Sequence, residues 1–596
     1  MNSETTRRLS LLRQWMKDNG IDAFITPSTD PHSGEYIPSH WKSREWISGF
    51  TGSAGTAVVT AESAALWTDS RYFIQAAAQL AGTGFALMKE RIEGTPTIED
   101  WLTQQLDSKG VVAVDGWVNT AMGVEWLRHT LSASDITLRT DADPYAAIWT
   151  DRPAMPDGKV FIQPLKYAGE SAADKIGRLR QRLNGKALLV SMLEEVAWTL
   201  NLRSNDVTYT PFLVSYLVVT PEDATLYIDS QKLTPEVCAY LTAEGVSHRP
   251  YDSLQKDLEN CPYRVCFDPA KTNCAAATAI AHPVHSESPV AKMLIYKNET
   301  EQEGFRRAME RDGVAMVKWM KWTMEHVADG GETELSLAAR LEAFRAEQQG
   351  FSGLSFESIM AYGPHAALPH YDPTPESDIP VEPRGLLLID SGGQYPDGTT
   401  DITRTIPLGP LTYEERRDYT LCLRGFINLG RAVFPKGTCG TQLDALARTP
   451  MWEYGINYLH GTGHGVGSFL SVHEGVSTYQ FRMNSMPYPL SPGMTITDEP
   501  GIYIEGSHGI RHENTMLVRE ANIEGCGTEG RVYGPYYCFE HLTLCPIITS
   551  PIIKEMLTAT EIQWLNGYHA TVRERLEPLL DEEHRLWLNA QTAAIS

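Results

Sequence analysis

The sequence predicts a protein of several α/β domains, with an α+β domain in its C-terminal half. The chain has 596 residues, which is more than a single hydrophobic core normally organises. Hydrophobic residues make up 42% of it and charged residues 21%, the balance of an ordinary globular protein. Helix-like and strand-like patterns alternate over the N-terminal half, which is typical of α/β domains.

The first predicted domain covers residues 1–155. It opens with an amphipathic helix that ends at Gly20, followed by the strand-like runs IDAFITP, TAVVT and AALWTD. A helix is predicted from Ser70 to Leu80, with Asp69 or Ser70 as its N-cap. The segment from Thr150 to Lys159 is rich in Pro and Asp, which is typical of a linker.

The second predicted domain, residues 156–295, repeats this order. A helix from about Ser171 to Leu183 precedes the strand ALLVSM, and a second helix ends near Arg203. The strands SYLVVT and ATLYID and a weaker αβ unit complete it. The similar order and size of the two segments predict a duplicated α/β domain.

The third predicted domain, residues 296–596, begins with a long helix capped by Asn298 or Thr300. The helix carries apolar residues at helical spacing, which we interpret as core: Phe305, Met309, Val314, Met316 and Trp319. A second helix is predicted to stop at Gly350, because glycine commonly follows the last turn of a helix.

Composition argues against nucleic acids and membranes as partners and favours a cytoplasmic protein over a secreted one. The formal net charge is −24 (51 − 75), whereas a nucleic-acid backbone or an anionic membrane requires a positive face. No apolar run approaches the ~18 residues of a membrane span, and the first helix is amphipathic, unlike a signal peptide. The nine cysteines include no CxxC pair, which indicates reduced thiols in a cytoplasmic protein.

The stretch from Leu386 to Ile406 concentrates chemical groups. An apolar run ends at Asp390, a turn rich in Gly, Pro and Asp follows, and the chain returns through Asp401 into an alternating segment. This pattern predicts a β-hairpin with one aspartate on each strand. Facing carboxylates repel, and burying them is costly, so a multivalent cation is the expected partner. Taken alone, the stretch also fits a hairpin whose acids face water.

A second pair of acids and a group of histidines lie near this hairpin in the sequence. Glu499 ends the alternating run MTITDE and Glu513 begins ENTMLV, so these glutamates also lie across a turn. His370 occurs in HYDPTPES, and the stretch LHGTGHGVGSFLSVHEG supplies three more histidines: His460, His464 and His473. Four carboxylates and one imidazole would balance two divalent cations. Such a set favours Mn²⁺, with Co²⁺ or Zn²⁺ as alternatives.

These motifs resemble the metallopeptidases of the pita-bread fold, and most closely the aminopeptidase P family in its long, three-domain cytosolic form. The resemblance rests on motifs along nearly the whole chain: TGSAGTAVVT, LWTDSRYFIQA, LNLRSNDVTYTP, GLSFESI, IDSGGQYPDGTTDITRT, HGTGHGVGSFLSVHEG, TDEPGIY, IRHEN, FEHLTLCPI and WLNGYH. It implies two creatinase-like N-terminal α/β domains followed by a pita-bread catalytic domain with a C-terminal extension. It also implies a homodimer, with the first domain of one chain near the site of the other.

The resemblance implies five metal ligands. They are Asp390, Asp401, His464, Glu499 and Glu513. Asp401 and Glu513 would bridge two metals, Asp390 would bind one, and His464 with Glu499 would bind the other.

Four further residues receive implied roles. Arg511 would hold a ligand carboxylate in place, which suits the fork geometry of arginine, and an ordinary structural ion pair is the alternative. His370, His460 and His473 would act in catalysis or in substrate binding. For His460 and His473, local hydrogen bonding in a Gly-rich loop is the alternative.

The implied activity is a metal-dependent aminopeptidase that hydrolyses the N-terminal Xaa-Pro bond of peptides, through a hydroxide shared by two metals. His370 would stabilise the oxyanion with a metal, and Glu499 would carry a proton to the leaving proline nitrogen. The bond before proline has no N–H, so a pocket shaped for the ring is needed. His473 and the GVGSF loop are the candidates for its wall, and cleavage of the trans isomer alone is expected.

Two other functions fit part of this pattern. A prolidase would share all five ligands but prefer dipeptides, whereas the extra N-terminal domains and the FEHLTLCPI tail favour the aminopeptidase. A non-catalytic pita-bread binding protein would normally lose ligands, and this chain keeps every one. Creatinase chemistry is disfavoured because that branch lacks the acidic metal set.

Overall fold

The computed structural model describes residues 3–106, 108–479, 488–523 and 534–596. The chain divides into two compact units, one of Met1–Leu165 with Glu170–Ala291 and one of Lys166–Gly169 with Lys292–Ser596. The predicted three-domain division stays a prediction. Within the described ranges, no helix is both long enough and apolar enough to cross a membrane. Cys526 lies outside those ranges, and the eight described cysteines are free thiols.

The N-terminal half of the chain alternates helices and strands. Its strands are β1 (Ala23–Pro27), β2 (Thr56–Thr60), β3 (Ala64–Thr68), β4 (Ala86–Lys89), β5 (Val111–Ala113), β6 (Thr137–Arg139), β7 (Phe161–Ile162), β8 (Ala187–Val190), β9 (Leu202–Arg203), β10 (Tyr216–Val219), β11 (Ala224–Tyr227), β12 (Val246–Arg249), β13 (Val265–Phe267) and β14 (Pro283–His285). Its helices are α1 (Ser3–Asp18), α2 (Ser43–Ser48), α3 (Phe73–Gln79), α4 (Ile98–Gln105), α5 (Ala121–Ser132), α6 (Tyr145–Ile148), α7 (Leu165–Ala168), α8 (Ala172–Leu183), α9 (Leu193–Leu200), α10 (Pro235–Ala243), α11 (Leu254–Glu259), α12 (Cys274–Ala279) and α13 (Ala291–Leu294).

Two six-stranded sheets of the same design lie in this half. Their strand orders are β4-β3-β2-β1-β5-β6 and β12-β11-β10-β8-β13-β14. In the first sheet β1 is antiparallel to β2 and parallel to β5, and in the second β8 is antiparallel to β10 and parallel to β13. The shared pattern confirms the predicted duplicated α/β architecture.

The C-terminal half combines short sheets with long helices. Its strands are β15 (Ile359–Tyr362), β16 (Leu386–Ser391), β17 (Gln394–Tyr395), β18 (Gly398–Thr399), β19 (Ile402–Pro407), β20 (Phe434–Pro435), β21 (Gly463–Gly465), β22 (Glu474–Tyr479), β23 (Thr495–Asp498), β24 (Gly501–Ile504), β25 (His508–Arg511), β26 (Asn514–Glu520) and β27 (Tyr536–His541). Its helices are α14 (Glu299–His326), α15 (Glu334–Ala346), α16 (Tyr413–Gly430), α17 (Gly440–Trp452), α18 (Ala559–Leu576) and α19 (Glu582–Gln591).

Helix α14 forms the predicted apolar core of this half. Asn298 caps it in a capping box with Glu301, so the alternative cap Thr300 is wrong. The predicted core residues are all buried: Phe305, Met309, Val314, Met316 and Trp319. Helix α15 ends at Ala346, four residues before the predicted stop at Gly350, which instead adopts a positive φ of 82° in the following turn.

The predicted start of α3 is also wrong. The helix begins at Phe73, and Tyr72 occupies the N-cap position, although its side chain makes no capping hydrogen bond to the helix. The carboxylate of Asp69 instead accepts the backbone N–H of Arg71 at 3.0 Å and both ends of its guanidinium at 2.9 and 2.8 Å. Its oxygens are therefore engaged before the helix begins.

Candidate metal centre

The β16–β19 hairpin places Asp390 within β16 and Asp401 beside the start of β19. The strands pair antiparallel with Asp390 opposite Thr403, and Asp401 immediately precedes β19. Between them β17 and β18 form a short arm. Gly392 starts this arm. A Cβ there would lie 1.9 Å from the carbonyl oxygen of Thr400, so only glycine allows the two backbone segments to approach this closely. Asp390 and Asp401 are 7% and 3% exposed, which contradicts the alternative that these acids face water.

A second antiparallel pair positions the glutamates. Strands β23 and β26 pair with Asp498 opposite Asn514. Glu499 follows β23 and Glu513 precedes β26, so both lie at the same end of this pair. The backbone N–H of Glu499 donates to the Thr462 carbonyl at 2.8 Å. The Glu513 residue is 1% exposed, whereas the Glu499 side chain keeps 19% of its surface exposed.

His464 on β21 presents one ring nitrogen to these acids. Its Nε2 lies 3.4 Å from Oδ2 of Asp401 and 3.6 Å from Oε1 of Glu499. Its Nδ1 lies 2.9 Å from the Gly465 carbonyl, which can only accept a hydrogen bond. Nδ1 therefore carries the proton of the neutral ring, and the lone pair of Nε2 faces the carboxylates. This is the tautomer that a metal-ligating histidine requires.

The candidate ligand atoms converge, and some of the carboxylate oxygens receive no hydrogen bond from the described residues. One ligand atom each from Asp401, His464 and Glu513 lie within 4.8 Å of one another. Oδ1 of Asp390 and Oε1 of Glu513 are buried and have no hydrogen-bond partner among the described residues. Because buried polar atoms normally have partners, these orphaned oxygens fit a site built for cations.

Crowding perturbs the titration of these acids. Burial raises the pKa of Asp401 well above its ordinary value, and the charges of Glu513, Asp390 and Glu499 raise it further. Burial likewise raises the pKa of Glu513, with Glu499 and Asp390 adding to the shift and Arg511 opposing it. Two divalent cations would oppose these shifts and favour the ionised carboxylates.

Arg511 connects the two acid pairs. Its Nη2 donates to Oδ2 of Asp390 at 2.6 Å, and its Nε donates to the Thr403 hydroxyl at 3.2 Å. That hydroxyl donates in turn to Oε2 of Glu513 at 2.8 Å. Arg511 is 2% exposed, so its guanidinium is a fixed support for Asp390.

Tyr503 extends this network and was missed by the sequence analysis. Its hydroxyl accepts from Nη1 of Arg511 at 2.7 Å and lies 2.9 Å from Nε2 of His460. Nδ1 of His460 lies 2.7 Å from the Gly461 carbonyl, so Nε2 is the acceptor for the tyrosine hydroxyl. His460 therefore reaches Asp390 through Tyr503 and Arg511, and its bonding is not confined to the Gly-rich loop.

The two remaining predicted histidines are His473, which lies beside His464, and His370, which lies in a separate segment. The His473 ring packs edge-on against His464, with ring centroids 4.3 Å apart at 87°. His370 is half-buried in the segment between a 3₁₀ turn (Gly363–Ala367) and Tyr371. The structure thus brings His460, His464 and His473 to the acid cluster or its supporting network.

Asp498 is a second residue that the sequence analysis missed. It is fully buried, and neither carboxylate oxygen has a hydrogen-bond partner among the described residues. Burial, then Glu513 and Glu499, raise its pKa well above the ordinary value. Strand alternation could have indicated it, because it places Asp498 on the face of Ile496, opposite to Glu499.

Models of known families match nearly the whole length of the chain. The model of "Metallopeptidase family M24" matches residues 303–520, and that of the "C-terminal region of peptidase_M24" matches 535–595. The "Creatinase/Prolidase N-terminal domain" matches twice, over 8–142 and 151–301.

Individual relatives agree with this assignment. A protein of Talaromyces marneffei named "Probable Xaa-Pro aminopeptidase P" is 42% identical, with 99% of this chain and 92% of the relative aligned. One of the same name from Sordaria macrospora is 40% identical over 100% of both chains. The X-prolyl aminopeptidase from Caenorhabditis elegans, described as a cytosolic enzyme with a di-nuclear active site, superposes with a TM-score of 0.94 at 32% identity, over 99% of this chain and 100% of that one. The chain therefore belongs to metallopeptidase family M24, in its aminopeptidase P group.

Proposed function

We propose that the chain is a metal-dependent aminopeptidase that hydrolyses the first peptide bond of peptides with proline as the second residue. The observation that carries the proposal is the convergence of Asp401, His464 and Glu513 within 4.8 Å in a member of a metallopeptidase family. The full-length relatives named Xaa-Pro aminopeptidase P support the proline specificity. The di-nuclear site of the C. elegans enzyme supports two metal ions.

Five residues would hold two divalent ions: Asp390, Asp401, His464, Glu499 and Glu513. Their four carboxylates balance four positive charges, and an oxygen-rich set with one imidazole suits Mn²⁺ best, with Co²⁺ or Zn²⁺ as substitutes. When bound, such ions acidify water to a nucleophile at neutral pH and polarise the scissile carbonyl.

Glu499 is the acid best placed to exchange protons with substrate. Its side chain is 19% exposed, against 10% for Asp390 and 4% for Asp401. It would accept the proton that the attacking water loses and deliver it to the proline nitrogen, which must gain a proton to leave as a neutral amine. His370 would donate a hydrogen bond to the developing oxyanion.

The GVGSF loop, residues 465–469, would form the wall of the proline pocket together with His473. Phe469 is buried and adopts a left-handed φ of 52°, and the Gly467 N–H closes the loop onto the Ser471 carbonyl at 2.9 Å. A non-glycine residue persists in this region only where its surroundings enforce it. A wall held this tightly supports selection of one ring geometry, so cis Xaa-Pro should react only as fast as it isomerises.

A peptide panel tests the proposal. The metal-loaded protein should release the first residue from Arg-Pro-Pro, should act far more slowly on Arg-Ala-Pro, and should lose activity in a chelator and regain it with Mn²⁺. Asp401→Asn provides an inactive, folded control. Hydrolysis of Gly-Pro but not of Arg-Pro-Pro would identify a prolidase, and absence of any hydrolysis by metal-loaded protein would leave a binding protein.

We also propose that the enzyme is a cytoplasmic homodimer. The C. elegans enzyme described as cytosolic supports the compartment. Large apolar side chains exposed by 39–62% gather within a short stretch and support self-association: Leu446, Trp452, Tyr454 and Leu459. Analytical ultracentrifugation should give twice the mass of one chain, and a monomer at micromolar concentration would contradict the dimer.

A further inference from the structure

The segment that carries His370 contacts a single buried carboxylate at three points. We call residues 362–371 the His370 loop; it runs from the end of β15 through the 3₁₀ turn to Tyr371. Glu334 is the first residue of α15 and is 0% exposed. Its side chain lies against the start, the middle and the end of the His370 loop.

Three donors of the loop meet this carboxylate. The backbone N–H of Tyr362 donates to Oε1 at 2.8 Å. Nδ1 of His365 lies 3.0 Å from Oε1 and 2.9 Å from Oε2, which is the geometry of an N–H donor shared by the two oxygens. The hydroxyl of Tyr371, the neighbour of His370, donates to Oε2 at 2.8 Å. Hydrogen bonds to a buried charged acceptor are the stronger kind, and both oxygens are engaged.

A second contact fixes the other side of the loop. Its Ala366 carbonyl lies so close to β25 that a Cβ on Gly509 would stand 1.6 Å from the oxygen. The ring of His365 packs on that of Tyr371, with centroids 4.4 Å apart. The backbone is therefore held before His370 at Ala366 and after it at Tyr371.

We propose that Glu334 is a positioning residue for His370, acting through the hydroxyl of Tyr371 and the imidazole of His365. The inference rests on the proposed function, in which His370 donates to the oxyanion. A donor to a developing charge is effective only when its position is fixed in advance. Misplacement by about 1 Å can cost on the order of 100-fold in rate.

Four single variants test the assignment. Glu334→Leu removes all three acceptor contacts and should lower kcat for an Xaa-Pro peptide by about 100-fold. Glu334→Gln and Tyr371→Phe keep part of the network and should each lower kcat by about 10-fold. Asp378→Asn is the matched control, because its carboxylate caps the same helix through the Leu335 N–H at 3.0 Å, and it should leave kcat unchanged. KM and the number of bound metals should stay at wild-type values throughout.

A double-mutant cycle separates positioning from a general structural role. In a His370→Ala background, Glu334→Leu or Tyr371→Phe should lower kcat by no more than about 2-fold, because the residue being positioned is gone. A full additional loss in that background, or loss of metal from the Glu334 variants, would overturn the assignment. If Glu334→Leu does not fold, Glu334→Gln and Tyr371→Phe complete the same cycle. An inactive wild-type enzyme would count against the proposed function instead.

Discussion

Two sets of buried acids in the C-terminal half of the chain differ in what neutralises them. Asp312 accepts from Nε and Nη2 of Arg345 at 2.9 and 3.1 Å, and Asp444 accepts from the same atoms of Arg448 at 2.6 and 3.2 Å. Tyr395 adds a third donor to Asp312 at 3.1 Å. In these pairs every carboxylate oxygen has a partner, and each charge meets an opposite one.

The second set is the candidate metal centre. Burial raises the pKa values of Asp401 and Glu513, with neighbouring carboxylates adding to both shifts, and one oxygen of Glu513 has no hydrogen-bond partner among the described residues. Arg511 binds Asp390 directly and reaches Glu513 only through the Thr403 hydroxyl. Asp312 and Asp444 are thus neutralised by arginines of the same chain, whereas the acids of the metal centre lack enough positive charge from the protein. At the metal centre, two divalent cations would supply the missing positive charge.

The largest expected effects on activity and stability come from replacing one acid of each set. Asp401→Asn should lower kcat/KM by about 10⁴-fold, as expected for a member of a catalytic unit. It should not lower the free energy of unfolding of the metal-free protein, because it removes a repulsive charge. Asp312→Asn should lower that free energy by about 3–5 kcal/mol, because it leaves Arg345 buried and unpaired. Steady-state kinetics and urea unfolding measure both, and equal destabilisation by the two variants would erase the distinction.

A smaller effect should follow from changing one arginine of each set. Arg511→Lys keeps the charge but loses the fork that reaches Asp390, Thr403 and Tyr503 together, so metal affinity should fall by about 10–100-fold with the fold intact. Arg345→Lys should instead lower the melting temperature and leave metal affinity unchanged. Metal titration by calorimetry together with thermal unfolding would show this, and weaker metal binding by Arg345→Lys than by Arg511→Lys would break the comparison.

The smallest effect is a pH dependence of stability. In the metal-free protein the pKa values of Asp401 and Glu513 are raised, so the folded state binds more protons than the unfolded chain above pH 4. This contribution to stability is complete below the ordinary pKa values and is lost as pH rises through the folded ones. Metal-free wild type should therefore lose more stability between pH 5 and pH 8 than metal-free Asp401→Asn. Urea unfolding at several pH values measures it, and parallel curves would refute it.

Much of this centre could be predicted because its strands have local patterns. The apolar run before Asp390 and the alternation after Asp401 identify the hairpin, and the run MTITDE locates Glu499 at a strand end. Contacts that join distant parts of the chain have no such pattern. Tyr503 meets His460, which is 43 residues away in the sequence, and only folding brings the two together.

The errors of prediction have local physical causes. Asp69 is a common N-cap residue, but a bidentate contact with Arg71 engages its carboxylate, and α3 starts later. Asp498 was overlooked beside Glu499, although alternation turns it to the opposite face and into the core. Propensity indicates which residues suit a cap or a strand, whereas other contacts of the same side-chain atoms decide whether a residue takes that role.

Metal stoichiometry tests the central claim most directly. Elemental analysis of Mn²⁺-saturated, gel-filtered protein should give two ions per chain for wild type and for Asp312→Asn, and fewer than two for Asp401→Asn. A folded wild-type protein that retains no metal ion, or an Asp401→Asn variant that retains two, would contradict the account.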